Sequence, residues 1–135
     1  MSQLPDLLVA AIALVRDRRV LMVTARERDV YYMPGGKIDP GETPVEAAAR
    51  EAYEEVALQL DPGALEHLFE VRTLAHGEPD GRHVRMAVFQ AETDASPAAS
   101  AEVGALHWVT TADAHRCPPA GREVLARLEA SGLID

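Results

Sequence analysis

The stretch that decides the fold reads Gly35-Gly36-Lys37-Ile38-Asp39-Pro40-Gly41-Glu42-Thr43-Pro44-Val45-Glu46-Ala47-Ala48-Ala49-Arg50-Glu51-Ala52-Tyr53-Glu54-Glu55-Val56-Ala57-Leu58. It is a glycine-rich loop feeding a capped helix. Thr43 is the N-cap, its hydroxyl accepting a first-turn N–H, and Glu46 reaches back to the Thr43 N–H to complete a capping box. Pro44 then falls at the first helical position, where a missing N–H costs nothing. At about 100° per residue, Glu51, Glu54 and Glu55 share one arc, and Val45, Ala48, Ala49, Ala52 and Val56 lie on another that faces the fold. Side chains three and four apart are neighbours, so the three carboxylates crowd one another and call for a partner. A hard divalent cation suits such a group: Mg²⁺ takes one or two carboxylates, waters and substrate phosphates. Arg50 can pair with Glu54 or Glu46 on its own helix, or turn back toward Glu42.

Outward from this stretch, the chain reads as alternating short elements. The apolar run 7–15, the charged turn Asp17-Arg18-Arg19 and the run 20–24 predict a hairpin of strands buried on both faces. Arg26 ends that second strand, where an arginine either meets solvent or contacts a phosphate or base. Residues 31–34 form a short extended segment, with Pro34 stopping any helix before the loop. Beyond the helix, alternation over 65–75 and 83–91 around the turn cluster 77–81 predicts a long antiparallel hairpin. A loop spans 92–105, a short strand 106–110, and a final helix 121–131 stops at Gly132. The five histidines have no ligand spacing and are assigned no role.

The composition excludes several classes. The 135 residues make one domain, 1–135, with 47% hydrophobic and 26% charged residues. A net charge of −9 disfavours nucleic acid polymers and anionic membranes, both of which are bound through basic patches. It also repels a nucleotide, so a phosphate substrate needs local positive charge. Lys37, the only lysine, sits inside the loop. No apolar run spans a bilayer, and the first residues lack the features of a signal peptide. Cys117, the single cysteine, permits no internal disulfide and is read as a packing residue in a cytoplasmic protein.

The quoted stretch resembles the Nudix hydrolase family. Gly36, Glu42, Arg50, Glu51, Glu54, Glu55 and Leu58 stand at the spacing of the family's box, here residues 36–58. Two positions depart: Ala52 replaces a larger aliphatic, weakening packing under the helix, and Ala57 replaces a glycine, altering how the helix exits. Neither touches a charged role. The resemblance implies an α+β Nudix fold, an α/β/α sandwich with a central mixed sheet and a loop-helix-loop catalytic motif. It implies Mg²⁺-dependent hydrolysis of a phosphoanhydride, with Mn²⁺ as a substitute. Glu51, Glu54 and Glu55 hold the metal, and either Glu51 or Glu54 helps deprotonate the water. Glu42 and Arg50 pair to lock the loop to the helix, and Gly36 and Lys37 contribute backbone or charge to the substrate site, with Arg26 beyond them.

The chain ends are similar to MutT-type nucleoside triphosphate pyrophosphohydrolases. Glu102 lies six residues before Trp108, the spacing of a remote fourth metal ligand; otherwise it is a solvated loop acid. The ending Cys117-Pro118-Pro119-Ala120 is followed by Gly121, where the MutT-type pattern has a base-contacting asparagine. That specificity contact is therefore absent. The implied substrate is a (d)NTP, cleaved to (d)NMP and pyrophosphate by a monomer or homodimer. The alternatives are an ADP-ribose or other nucleotide-sugar pyrophosphatase and a non-catalytic nucleotide-sensing domain. Against the first, Leu74 stands about sixteen residues past the box, where a proline would mark an ADP-ribose hydrolase. Against the second, every box acid is present.

Overall fold

The computed structural model describes residues 4–78 and 80–135. Met1, Ser2 and Gln3 of the leading segment, and Pro79 of the turn cluster 77–81, lie outside the described residues. The predicted first hairpin is present as β1 (Leu7–Arg16) and β2 (Arg19–Ala25). Asp17 and Arg18 both take positive φ, 51° and 60°, the backbone of a two-residue turn whose twist matches the flanking strands. The next strand is a departure from the loop reading: Gly35–Lys37 forms a short strand, β3, paired antiparallel with Val9–Ala11 of β1. Its glycine is obligatory, because a Cβ on Gly35 would strike the Ala10 carbonyl oxygen and Ala11. Helix α1 (Pro44–Val56) follows, then β4 (Glu66–Leu74), β5 (His83–Ala91), β6 (Val103–Val109) and α2 (Pro119–Ala130).

The strands form one mixed sheet in the order β4-β5-β1-β2-β6, with β3 beside β1. Strand β1 is the hub. It runs parallel to β5 over eight register pairs, from Leu7 opposite Val84 to Leu14 opposite Ala91. Alternation sends successive residues to opposite faces. Ala10, Ile12, Leu14, Leu21 and Val23 pack with the α1 residues Ala47, Ala48, Ala52 and Val56. Ala11, Ala13, Val20 and Met22 pack with Val124, Leu125 and Leu128 of α2. The architecture is thus the expected α/β/α sandwich, and the central strands read as unbroken apolar runs because both faces are covered.

Two element starts differ from expectation by two residues or more. Strand β6 begins at Val103 rather than 106, since Val103 pairs with Ala25 of β2 across a bulge. Small residues Gly104 and Ala105 conceal it; a Cβ on Gly104 would lie 2.9 Å from the Arg26 Cα. Helix α2 begins at Pro119 rather than 121, with proline at a position that tolerates it. Helix α1 leaves through Ala57 at φ 56°, ψ 32°. This is the left-handed exit that glycine favours, so alanine here bears a conformational cost.

Candidate active site

The α1 start is built as its sequence dictates. The Thr43 hydroxyl accepts from the Glu46 N–H at 3.3 Å, and Glu46 Oε1 accepts from the Thr43 N–H at 2.8 Å. With the helix phase set, Arg50 points back over the preceding loop. Its Nε donates to Glu42 Oε2 at 2.8 Å and its Nη2 to Glu42 Oε1 at 3.0 Å, a two-pronged grip. Nη2 also donates to the Lys37 carbonyl at 3.0 Å, and Nη1 to Glu51 Oε1 at 3.0 Å. Glu54 is reached more weakly, at 3.3 Å. Of the three open choices, Arg50 therefore takes Glu42 and Glu54 but not Glu46, which is occupied by the cap. The Arg50 hydrogen bonds hold the Glu42 carboxyl down at a pKa of about 2, with help from the Asp39 N–H.

Glu55 leaves this group and turns toward β3, accepting the Gly35 N–H at 2.8 Å. Burial is the main cause that pushes its pKa up to about 7; the Gly35 bond opposes the rise and the charges of Glu51 and Glu54 add to it. Glu51 reaches the same diglycine from the helix. A Cβ on Gly36 would lie 2.5 Å from Glu51 Oε1, so the carboxylate stands where any other residue would place its side chain. Two carboxylates thus converge on Gly35-Gly36, one beside a free Cα face and one on a backbone N–H.

The tip of α1 carries these acids without a basic residue in its last turn, against the direction the helix dipole favours. The strain is met by backbone donors: the Ala98 N–H bonds the Val56 carbonyl at 2.9 Å and the Ser100 N–H bonds the Glu55 carbonyl at 3.0 Å. The same loop then delivers Glu102, whose carbonyl accepts the Arg26 N–H at 3.2 Å.

A cleft of about 430 Å³ connects these parts, lined by Gly35, Gly36, Glu55 and Glu102 together with a largely apolar wall. The wall includes Leu7, Val9, Val84 and Met86, which share the sheet face that α2 covers further along. Tyr31, Tyr32, Leu74 and His76 complete it, and Gly121 lies in the lining where a side chain would press on Cys117. Tyr31 stacks on His107 at 4.3 Å, and Tyr32 meets His76 edge-on at 6.2 Å. Sequence reading passed over these aromatic and histidine contacts; the alternation of Val84 and Met86 was the one signal that could have marked the wall.

The sequence-chosen residues therefore divide. Gly36, Glu42, Arg50, Glu51 and Glu54 form one linked group, with Glu55 beside the diglycine and Glu102 across the cleft lining. Lys37 and Arg26 are exposed and neither side chain lines the cleft; Lys37 enters through its carbonyl and Arg26 through its N–H. Among the described residues no three Asp, Glu, His or Cys side chains close into a ready metal cluster. The donor chemistry nevertheless suits a hard divalent cation, because the side chains that reach the diglycine, Glu51 and Glu55, bring carboxylate oxygens.

The NUDIX domain family model matches residues 6–128. The 8-oxo-dGDP phosphatase NUDT18 of Mus musculus is 40% identical over 60 residues, which cover 42% of this chain and 19% of that protein. Diphosphoinositol polyphosphate phosphohydrolase 2 of Rattus norvegicus is 38% identical over 60 residues, covering 44% of this chain and 34% of that protein. The chain thus matches only 19% and 34% of the length of these two curated relatives. Among solved structures, a MutT NUDIX hydrolase from Burkholderia pseudomallei superposes with a TM-score of 0.70 at 26% identity, covering 91% of this chain and 98% of that one.

Proposed function

The chain belongs to the NUDIX domain family, and from that premise we propose that it is a divalent-metal-dependent pyrophosphohydrolase that cleaves a (d)NTP to (d)NMP and pyrophosphate. The observation that carries this reading is the joining of two unlike surfaces in one cleft. Glu55 and Glu102 line the cleft with Gly35-Gly36, and a largely apolar, aromatic wall makes up the rest of it. A nucleotide has the same division, with a charged phosphate chain on one side and a flat base on the other.

Each part has a task. A divalent ion, which hydrolases of this family generally use, would neutralise phosphate charge and acidify a water when bound. Glu51, Glu54 and Glu55 would hold it. Glu102, from the facing loop, would be a further ligand. Arg50 holds Glu51 through one oxygen, Oε1, and Glu54 weakly through both, so the acids need little reorganisation when substrate arrives. Either Glu51 or Glu54 would take the water's proton. Glu42 and the Lys37 carbonyl keep the loop closed on the helix, aligning the diglycine backbone with the phosphates. The cleft wall holds the base by stacking and apolar contact. With Gly121 in the lining, the asparagine-type base contact is lacking, so base selection would be broad.

A panel of canonical and oxidised (d)NTPs, ADP-ribose, dinucleoside polyphosphates, coenzyme A and nucleotide sugars, run with Mg²⁺ and with Mn²⁺, tests the reading. Pyrophosphate release from (d)NTPs is expected to be the fastest reaction. Preferred cleavage of ADP-ribose would replace this substrate assignment, and binding without turnover of any member would convert the protein to a nucleotide sensor.

A further inference from the structure

We infer that Arg16 is a positioning residue: it holds the loop 92–102 against the body of the protein and so sets Glu102 at the cleft. Arg16 closes strand β1, far along the chain from the acids. Its Nη2 donates to the Thr93 carbonyl at 2.5 Å and to the Ala95 carbonyl at 2.6 Å. Its guanidinium lies 5.6 Å from the ring centroid of Trp108 on β6. An arginine stacked on an aromatic face is restricted in orientation, and its fork is directed without further loss of freedom.

The loop so gripped has no helix or strand of its own, yet it is held at several points. The Ala95 N–H bonds the Thr93 hydroxyl at 3.1 Å, the Ala98 and Ser100 N–H groups cap α1, and the Val103 N–H returns to the Ser100 carbonyl at 3.1 Å. Between Ser100 and Glu102 the chain turns through Ala101 at φ 56°, a conformation that alanine keeps only when its surroundings impose it. Arg16 supplies the two charged donors at the start of this path. It gives Trp108 a structural purpose too: the ring is the platform on which the loop's anchor rests. Arg16 touches none of the acids, so any effect it has on them passes through the loop.

The inference rests on the proposed role of Glu102 as a ligand, and its test separates the two. Arg16→Met keeps the apolar stem over Trp108 and removes the donors. Glu102→Gln removes the ligand, and the double variant completes the cycle. Two readouts are taken on the intact protein without substrate: hydrogen exchange of the amides of Ala98 and Ser100, and Mn²⁺ binding by electron paramagnetic resonance. In Arg16→Met the two amides are expected to exchange about tenfold faster, and the Mn²⁺ dissociation constant to rise about tenfold, the scale on which outer partners tune a metal site. Glu102→Gln should weaken Mn²⁺ by a similar factor with unchanged exchange, and the double variant should bind no more weakly than Glu102→Gln alone. Unchanged exchange in Arg16→Met overturns the anchoring. Faster exchange with unaltered Mn²⁺ binding, while Glu102→Gln weakens it, overturns the positioning role. Unaltered binding in Glu102→Gln instead removes the ligand role on which the inference depends.

Discussion

Arg50 grips Glu42 with the Nε–Nη2 edge of its guanidinium, at 2.8 and 3.0 Å, and spends its remaining nitrogen on Glu51 and Glu54. One side chain therefore fixes the loop, through Glu42 and the Lys37 carbonyl, to the acids of α1. A lysine has the charge but not the planar fork. Arg50→Lys is expected to lower activity by about ten- to a hundredfold, as loss of an outer partner does at metal sites. It should also lower the melting temperature. The Glu42 carboxyl, held at about 2, contributes stability above its ordinary pKa that is lost as pH falls toward the folded value. Chemical denaturation between pH 5 and 2 should show this acid-side loss in the parent and a shallower one in Arg50→Lys. Equal slopes would mean that Glu42 does not depend on Arg50.

Glu54 is the acid least committed to the fold, with its side chain 49% exposed against 15% for Glu51. Glu54→Gln should therefore leave the melting temperature within a degree or two while lowering Mg²⁺-dependent turnover by about a hundredfold or more, the effect of removing one charged stabiliser. Turnover like the parent's would remove Glu54 from the metal set.

Glu55 gives a pH dependence of opposite sign. Its folded pKa is raised to about 7, so the folded state holds its proton where the unfolded chain has already released it. Stability then falls as pH climbs from the ordinary carboxylate range through about 7. Glu55→Gln keeps an oxygen for the Gly35 N–H and removes the charge. In urea with chelator present, the variant should gain on the parent between pH 5 and pH 8. An equal difference at both values would refute the buried-charge account.

Ala57→Gly should raise stability by about 1 kcal/mol, because the left-handed exit of α1 penalises a Cβ and not a hydrogen. Urea midpoints are the measure, and an unchanged or lower midpoint would show that the unfolded chain's freedom offsets the relief.

The sequence carried most of this architecture because its signals are local. The capping box phases α1 to the residue, and that phase alone decides that Glu51, Glu54 and Glu55 face together. Alternation and turn residues placed both hairpins. The diglycine strand was not legible: three residues with no side chain to alternate become a strand only because β1 lies alongside. The start of β6 was hidden for the same reason, at Gly104 and Ala105. The cleft wall was the least visible part. Leu7, Val84 and Leu74 look like ordinary strand residues, and their meeting depends on which strands pair. Arg16 and Trp108 are 92 positions apart, so no local pattern joins them.

The parallel pairing of β1 with β5 has a consequence for synthesis. Leu7 emerges from the ribosome before its partner Val84, which follows only after the whole acidic stretch has been made. During that interval β1 has β2 and β3 as neighbours, and its long remaining edge is open. The nascent chain therefore exposes the strand Leu-Leu-Val-Ala-Ala-Ile-Ala-Leu, uncharged and wholly apolar, until β5 arrives to close it. Chains stalled before residue 84 should be the ones that recruit chaperones or aggregate, and the proposed active site should be among the last features to mature, although most of its residues are translated before β5.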